Sequence, residues 1–445
     1  MKVALTTIGC KLNQFETQVM QELLEGESYE IIPFSQEADI YVINTCTVTG
    51  KSEYRARQVI RKALRTNPQA FIVVAGCYAQ VHPQQVARLP EVDLILGNEE
   101  KFSLHSYLVG AKKANSPRIE VGDIDSNRIF ISHRVRNLSG YTRAFVKIQD
   151  GCDASCAFCL VSRARGPNRS ERPEAIRDQI EQLVGAGYQE VVLTGVHLGT
   201  YGEDLDGETH LVGLLRSLRE ITGLKKVRLS SIEPREFTSE LIEEIVTNPK
   251  VCRHLHIPLQ SGDSKILWSM ERSYTPTDYE GLVCRLKEKM PELGLGADVI
   301  VGFPGEEEEH FRHTYELIER LPLTYLHIFS FSPRPGTPAA DMPNQVEGTF
   351  KQERSQRLRA LGKQKSLEFK RSYLGREVEV LVESSPDKVT CFPKAISENY
   401  LKVLLPGENL EEIINRYLAV RIFRLEGEML VGTVQRQPLD QTIVI

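Results

Sequence analysis

The run Gly151-Cys152-Asp153-Ala154-Ser155-Cys156-Ala157-Phe158-Cys159 sets three cysteines at C-x3-C-x2-C spacing. It follows an alternating segment, Ala144-Phe145-Val146-Lys147-Ile148, that reads as a buried strand. Three thiolates on one short loop can hold three irons of a 4Fe–4S cluster, leaving the fourth iron open to a substrate. A structural zinc site takes four N/S ligands, commonly in C-x2-C pairs. Incidental buried thiols and a zinc site remain as alternatives on these residues alone.

The rest of the chain bounds the reading. Its 445 residues, 41% hydrophobic and 26% charged, describe an ordinary globular protein of about two to four domains. No apolar run reaches the ~18 residues of a membrane helix, so no membrane association is expected. The start, Met1 to Ile8, reads as a strand rather than a signal peptide. Nine cysteines, an odd number, argue against a disulfide scaffold and for a reducing cytoplasm. With net charge −5, nucleic-acid binding must rest on local basic patches.

Residues 1–115 repeat a strand-loop-helix pattern. Val3–Ile8, Asp39–Asn44, Phe71–Ala75 and Leu94–Leu96 read as strands, and Cys10, Cys46 and Cys77 each fall just past one. Such a repeat predicts a parallel α/β sheet with right-handed crossovers. Ligands bind where the carboxyl ends of such strands meet, so the three cysteines are expected to converge as a second three-thiolate site. Core cysteines are the alternative. Lys51 to Arg65 carries six basic residues against Glu53, either a solvated helix face or an RNA-facing surface. Residues 116–138, opening on Asn115-Ser116-Pro117 and polar to Asn137, read as a linker.

From 139 to about 340, Phe145–Ile148, Val191–Thr194, Val227–Ser230, Leu255–Ile257, Asp298–Val301 and Leu326–Phe329 alternate with helical patterns. Six units predict a partial (β/α)6 barrel with its chemistry at the carboxyl ends of the strands. Turn residues stand there: Thr194 and Gly195, Ser230 to Pro234, Pro258 to Gly262, and Gly302 to Gly305. His254 and His256 alternate on one strand, as cavity-lining residues or as a metal pair. Lys351 to Arg376 holds nine basic residues against two acidic. Short alternating runs follow: Glu377–Val382, Tyr400–Leu404, Leu418–Arg424 and Leu430–Val434. They predict a small antiparallel β-barrel. Basic helix and barrel together are expected to grip RNA through phosphate contacts, with a solvated interdomain helix as the alternative.

C-x3-C-x-aromatic-C resembles the cluster loop of radical S-adenosylmethionine (SAM) enzymes. With Cys10, Cys46 and Cys77, the whole chain resembles the methylthiotransferase family of that superfamily. The resemblance implies an N-terminal auxiliary-cluster domain (1–115), the linker, a radical SAM core (139–370) and an RNA-binding TRAM barrel (371–440). Four stretches are similar to the branch acting on threonylcarbamoyladenosine in tRNA: Thr194 to Gly202, Arg228 to Pro234, His256 to Gly262, and Asp298 to Glu306. One departure is Ser162, where members usually carry proline, with a shifted loop after the cluster as its expected effect.

The resemblance implies two 4Fe–4S clusters and SAM as cofactors. Cys152, Cys156 and Cys159 would hold the cluster whose open iron chelates SAM and cleaves it to a 5′-deoxyadenosyl radical. Cys10, Cys46 and Cys77 would hold the cluster that carries the donated sulfur. Phe158 would lie near the adenine of SAM, with Thr194, Gly195 and Ser231 in the loops along its edge. Glu233 would take the ribose diol, and Gln260 and Arg272 the SAM carboxylate or the substrate. The expected reaction puts a methylthio group on carbon 2 of N6-threonylcarbamoyladenosine beside the anticodon. That C–H bond is beyond any side-chain base at neutral pH, and flipping the base gives access to it. Expected partners are the tRNA anticodon stem-loop and an electron donor such as flavodoxin, with a monomeric enzyme. The alternatives are a sister acting on isopentenyladenosine or on a ribosomal-protein aspartate, and a non-catalytic iron–sulfur RNA-binding protein.

Overall fold

The computed structural model describes residues 1–445 except 28, 48–49, 114–115, 127, 137–139, 207–209 and 436–445. Asn115, Asn137 and positions 436–440 of the expected barrel lie outside the described residues. Apolar, β-branched runs build the first sheet: β1 (Lys2–Thr7), β2 (Glu30–Ile31), β3 (Ile40–Thr45), β4 (Phe71–Gly76), β5 (Leu94–Leu96) and β6 (Arg118–Glu120). All pairs are parallel, in the order 2-1-3-4-5-6. β3 is buried along its whole length, as a central parallel strand covered on both faces must be. The chain winds to one side from β1 to β2 and to the other from β3 onward. The carboxyl ends of β1 and β3 therefore flank a topological switch point. β6 falls within the expected linker and pairs with β5 as an edge strand. Three residues with a charge at each end carry no strand period, and only pairing reveals them.

The centre consists of β7 (Arg143–Lys147), β8 (Gln149–Asp150), β9 (Arg169–Ser170), β10 (Glu190–Thr194), β11 (Lys226–Leu229), β12 (His254–His256), β13 (Gly294–Val301) and β14 (Tyr325–Ser330). Two parallel triples, β11-β10-β7 and β12-β13-β14, meet through a bridge between Val227 and Val251. That is the expected six-stranded partial barrel. β8 and β9 form a short antiparallel ribbon that brackets the cysteine loop. One hydrophobic core fills the barrel, takes in Phe15 and Val19 of helix α1 (Lys11–Glu25), and ends on Leu358 and Leu361. Each such fully buried apolar side chain contributes about 1.5–3 kcal/mol, so the first sheet is locked onto the barrel through α1.

β15 (Glu377–Val382), β16 (Lys394–Ser397), β17 (Lys402–Leu404), β18 (Tyr417–Glu426) and β19 (Met429–Val434) close a barrel in the order 15-16-17-19-18. The expected all-antiparallel pattern is corrected at β17–β19, which pair in parallel. β16, Lys-Ala-Ile-Ser, is too short to read from sequence. The strand expected from Tyr400 starts at Lys402 because Tyr400 has φ 72°.

Candidate active site

The core cysteines sit between β8 and β9. A side chain on Gly151 (φ 76°) would strike the Pro167 carbonyl, so only glycine lets the two flanks of the loop close. Cys152 Sγ lies 3.5 Å from His197 Nδ1, and Arg272 Nη1 donates to Cys156 Sγ at 3.2 Å. The Val161 N–H donates to Cys159 Sγ at 3.3 Å. Burial pushes the Cys159 thiol up to about 12, and the neighbouring Cys156 and Cys152 push the same way against the Val161 N–H. Three crowded thiols ionise together only when positive charge lies among them, and metal binding supplies it. Buried Arg272 Nε has no hydrogen-bond partner among the described residues, and Arg272 also pairs with Glu233. Thiol crowding and this unpartnered donor fit a cluster with an open ligand position beside it.

The N-terminal cysteines converge at the switch point. Cys10 caps the start of α1, Cys77 opens helix Cys77–Val81, and Cys46 follows β3. A Cβ on Gly9 (φ 135°) would come within 2.8 Å of Cys46 Cβ. Burial pushes the Cys10 thiol up; Arg165 and Asn13 oppose this, and Cys77 and Glu16 reinforce it. Asn13 knits the loops by donating to Ile8 O (3.2 Å) and Thr45 O (2.9 Å). Asn98 donates to Cys77 Sγ at 3.6 Å and to Ala164 O at 2.6 Å, tying this site to the segment after the core cysteines.

A buried ionic cluster joins the two sites. Arg165 donates to Glu16 at 2.7 and 2.9 Å, to Asp150 at 3.1 Å and to Asn13 at 2.7 Å. Lys101 reaches Glu16 at 2.7 Å and Lys147 reaches Asp150 at 2.6 Å. Burial would raise the Glu16 carboxyl, but Arg165, Lys101 and Lys147 hold it at about 2. On the open side, Arg334 donates to Thr47 Oγ1 at 2.8 Å and pairs with Glu53, just past Cys46. Arg334 also lines an open cavity of about 630 Å³ with Phe158, Gln260, Asp298, Ile300 and Phe329. The lining of this cavity thus includes Phe158, next to Cys159, and Arg334, which bonds Thr47 beside Cys46.

Phe158 and Gln260 line this cavity, whereas Arg272, paired with Glu233 and bonded to Cys156, lines a separate open pocket. Gln260 is buried at φ 60°, a strained conformation that persists where the surroundings impose it. Glu233 also caps the turn Pro234–Glu236. Thr194 is not at the rim; its hydroxyl donates to Val146 O inside the barrel wall. Gly195 acts by leaving room for Gln149, whose Oε1 accepts from the Val196 and His197 N–H groups. Ser231 is exposed. Ser162 stands second in helix Val161–Arg165, a first-turn position that accommodates proline or serine alike. His254 and His256 line the barrel: both rings meet the Tyr325 hydroxyl, at 2.8 and 3.1 Å. His256, Asp298 and His327 are nevertheless close enough together to share an ion.

His197, Glu16, Asp150, Arg165 and Arg334 escaped the sequence reading. Glu16 alone carried a signal, since it stands among Leu12, Phe15, Val19 and Met20 on the apolar face of α1.

Residues 2–97 match the family described as Uncharacterized protein family UPF0004, and residues 146–318 match the Radical SAM superfamily. The chain is 40% identical over 426 residues to the threonylcarbamoyladenosine tRNA methylthiotransferase MtaB of Bacillus subtilis (strain 168), covering 95% of this chain and 94% of that one. It is 40% identical to the MtaB of Aquifex aeolicus (strain VF5), with 92% and 97% covered. It is 36% identical to the tRNA-2-methylthio-N(6)-dimethylallyladenosine synthase of Moorella thermoacetica, with 96% and 98% covered. A solved structure of the radical SAM methyltransferase TsrM from Kitasatospora setae shares the fold, at TM-score 0.54 and 16% identity over 76% of this chain and 77% of that one. Matched along nearly its whole length, the chain belongs to the radical SAM methylthiotransferases.

Proposed function

We propose that this protein transfers a methylthio group to carbon 2 of N6-threonylcarbamoyladenosine next to the anticodon of tRNA. The observation that carries the proposal is the pair of cysteine triplets joined through one buried polar network, with Phe158, next to Cys159, and Arg334, bonded beside Cys46, on the lining of one cavity. The relatives at 40% identity, named for threonylcarbamoyladenosine, support this substrate over the dimethylallyl one.

Cys152, Cys156 and Cys159 hold a 4Fe–4S cluster that binds SAM, and Cys10, Cys46 and Cys77 hold a second. When bound, these groups supply hydrogen-atom abstraction and the sulfur, chemistry that no side chain offers. The chain's own residues position and exclude. Arg272 and Glu233 brace Cys156, and His197 braces Cys152. Phe158 packs edge-to-face on Phe303, with ring centroids 6.5 Å apart, closing one wall to water. The Arg165–Glu16–Asp150 cluster keeps the two sites at a set separation. We assign auxiliary-cluster chemistry to residues 1–115, SAM chemistry to 139–370 and an RNA-binding barrel to 371–440. The same reading takes in a cytoplasmic location, an electron donor such as flavodoxin and a monomeric enzyme. The location is supported by the nine cysteines outside any disulfide and by the lack, among described residues, of a helix long and apolar enough to cross a membrane.

The test is anaerobic incubation of the iron-loaded protein with SAM, reductant and anticodon stem-loops, followed by mass analysis of the nucleosides. A methylthio product on threonylcarbamoyladenosine is expected, and product only on dimethylallyladenosine would reassign the substrate. Replacing Cys10, Cys46 and Cys77 by Ala is expected to keep 5′-deoxyadenosine release while abolishing methylthiolation. Replacing Cys152, Cys156 and Cys159 is expected to abolish both.

A further inference from the structure

One wall of the cavity lined by Phe158 and Arg334 is polar in a way that no step above uses. His256 Nε2 and His327 Nδ1 both face Asp298 Oδ1, at 2.9 and 3.2 Å. Three adjacent parallel strands supply these groups. Asp298 on β13 is the cross-strand partner of His327 on β14, and His256 on β12 pairs with Gly296, two residues before Asp298. Residues two apart on a strand share a face, so the register alone puts all three side chains on one side of the sheet. A side chain on Gly296 would strike the Tyr325 ring, so glycine there makes room for that ring beside the histidines.

Asp298 stands on the cavity lining, and among the described residues no Lys or Arg pairs with it. A carboxylate withdrawn from water is ordinarily paired with a cation or bound to a metal. The partners of Asp298 are two imidazoles, and imidazole is the commonest metal ligand. The spacing suits an ion. Zinc binds imidazole nitrogen and carboxylate oxygen at about 2.0–2.2 Å, which sets two tetrahedral ligands about 3.3–3.5 Å apart. The nitrogen–oxygen separations here fall just short of that, and the three ligand atoms lie within 4.8 Å of one another. An outer shell is present too. His256 Nδ1 lies 3.1 Å from the Tyr325 hydroxyl, which reaches His254 Nε2 at 2.8 Å. A hydrogen bond on the other ring nitrogen is what fixes the tautomer and ring plane of a ligating imidazole.

We propose that His256 Nε2, Asp298 and His327 Nδ1 bind a zinc ion in the cavity wall. Two imidazoles and one carboxylate suit zinc over magnesium and calcium, which take all-oxygen shells. Three protein ligands leave a fourth position open, the pattern of a catalytic zinc site rather than a structural one. Two neutral imidazoles and one carboxylate leave the ion a net positive charge, so the open position takes an anionic or carbonyl oxygen. None of the six cysteines of the two triplets takes part, and the site stands whether or not the substrate reading above holds.

The test is elemental analysis and zinc X-ray absorption on the iron-loaded wild-type chain, equilibrated with zinc sulfate and desalted. Stoichiometric zinc at undiminished iron is expected, with nitrogen and oxygen neighbours at about 2.0–2.2 Å and no sulfur at about 2.3 Å. Failure to retain zinc overturns the site without needing any variant to fold. Zinc with sulfur neighbours overturns it as well, since the ion then sits on cysteines. His327→Ala, a change at an exposed side chain, is expected to lose the zinc while iron stays at wild-type level. Tyr325→Phe is expected to keep the nitrogen and oxygen shell and to weaken zinc binding by about 10- to 100-fold, the effect of losing an outer-shell partner. Zinc retained at full affinity in both His327→Ala and Asp298→Asn overturns the assignment of ligands.

Discussion

Glu16 is the residue on which the union of the two cysteine sites turns. It is 1% exposed and faces Arg165, Lys101 and Lys147. Glu16→Gln would leave buried cations without their counter-charge, and breaking such a cluster from one side costs about 3–5 kcal/mol. The expected outcome is a lowered midpoint in chemical denaturation, together with weaker retention of iron by the auxiliary site. The pH dependence has a defined sign. The folded pKa, about 2, lies below the ordinary 4.5. The stabilisation is therefore fully present above about 4.5 and is lost as pH falls toward about 2. Denaturation midpoints of wild type and Glu16→Gln are expected to differ most above that window and to converge on acidification. A constant gap down to pH 2.5 would contradict this account. The placement of Glu16 among apolar neighbours was visible in the sequence, but Arg165 and Lys101, 149 and 85 residues away, were not.

Two basic helices exchange roles when seen as elements. Helix Gly348–Arg371, expected as the RNA grip, spends most of its charge inside the chain. Arg354 donates to Glu306 O (2.9 Å) and Oε1 (2.8 Å), Arg357 pairs with Glu308 (2.8 Å), Lys363 with Glu428 (2.7 Å), and Lys365 donates to Leu321 O (2.7 Å). Its apolar side lies on β14, where Gly362 meets Leu326. It is a strut between the two barrels. Helix Gly50–Thr66 is the opposite case: Arg55, Arg61, Lys62 and Arg65 share an exposed face with Tyr54, and none has an ion-pair partner among described residues. That face begins beside the cavity, next to Glu53 and Arg334. Changing Arg55, Arg61 and Arg65 to Gln is expected to weaken tRNA binding and to flatten its log–log salt dependence by about 0.7–0.9 per lost contact. Arg354→Met is expected to lower stability and leave the salt slope alone. An unchanged slope in the first variant would return Gly50–Thr66 to a merely solvated face. Charge runs were legible in the sequence; which run was already paired was not, because the partners come from distant strands and turns.

Across the whole molecule, the C-terminal barrel is built into the central one. Its β16–β17 turn plugs the floor of the central barrel. Arg228 donates to Ser397 O and Glu398 O at 3.1 and 2.9 Å, and Asn399 donates to Glu292 O at 3.1 Å. Tyr400 stacks on His254 with centroids 4.4 Å apart. Tyr400→Ala is expected to destabilise the protein by about 2–3 kcal/mol, less than removal of a fully buried ring because Tyr400 is only partly buried, and to lower SAM cleavage along with tRNA modification. A variant that lost only RNA binding would show that the barrel is an appendage.

Most strands and helices, the two cysteine triplets and the three-part plan follow from local signals: apolar period, glycine placement and spacing along a few residues. Those signals act over one or two turns of chain, so they survive reading in one dimension. The switch point that brings Cys10 to Cys46, the ionic cluster around Glu16, the polar wall of Asp298 and the strut role of Gly348–Arg371 were settled only on folding. Each depends on groups from separate elements sharing one desolvated space, and pairing in a low-dielectric interior is decided by distance through space rather than along the chain.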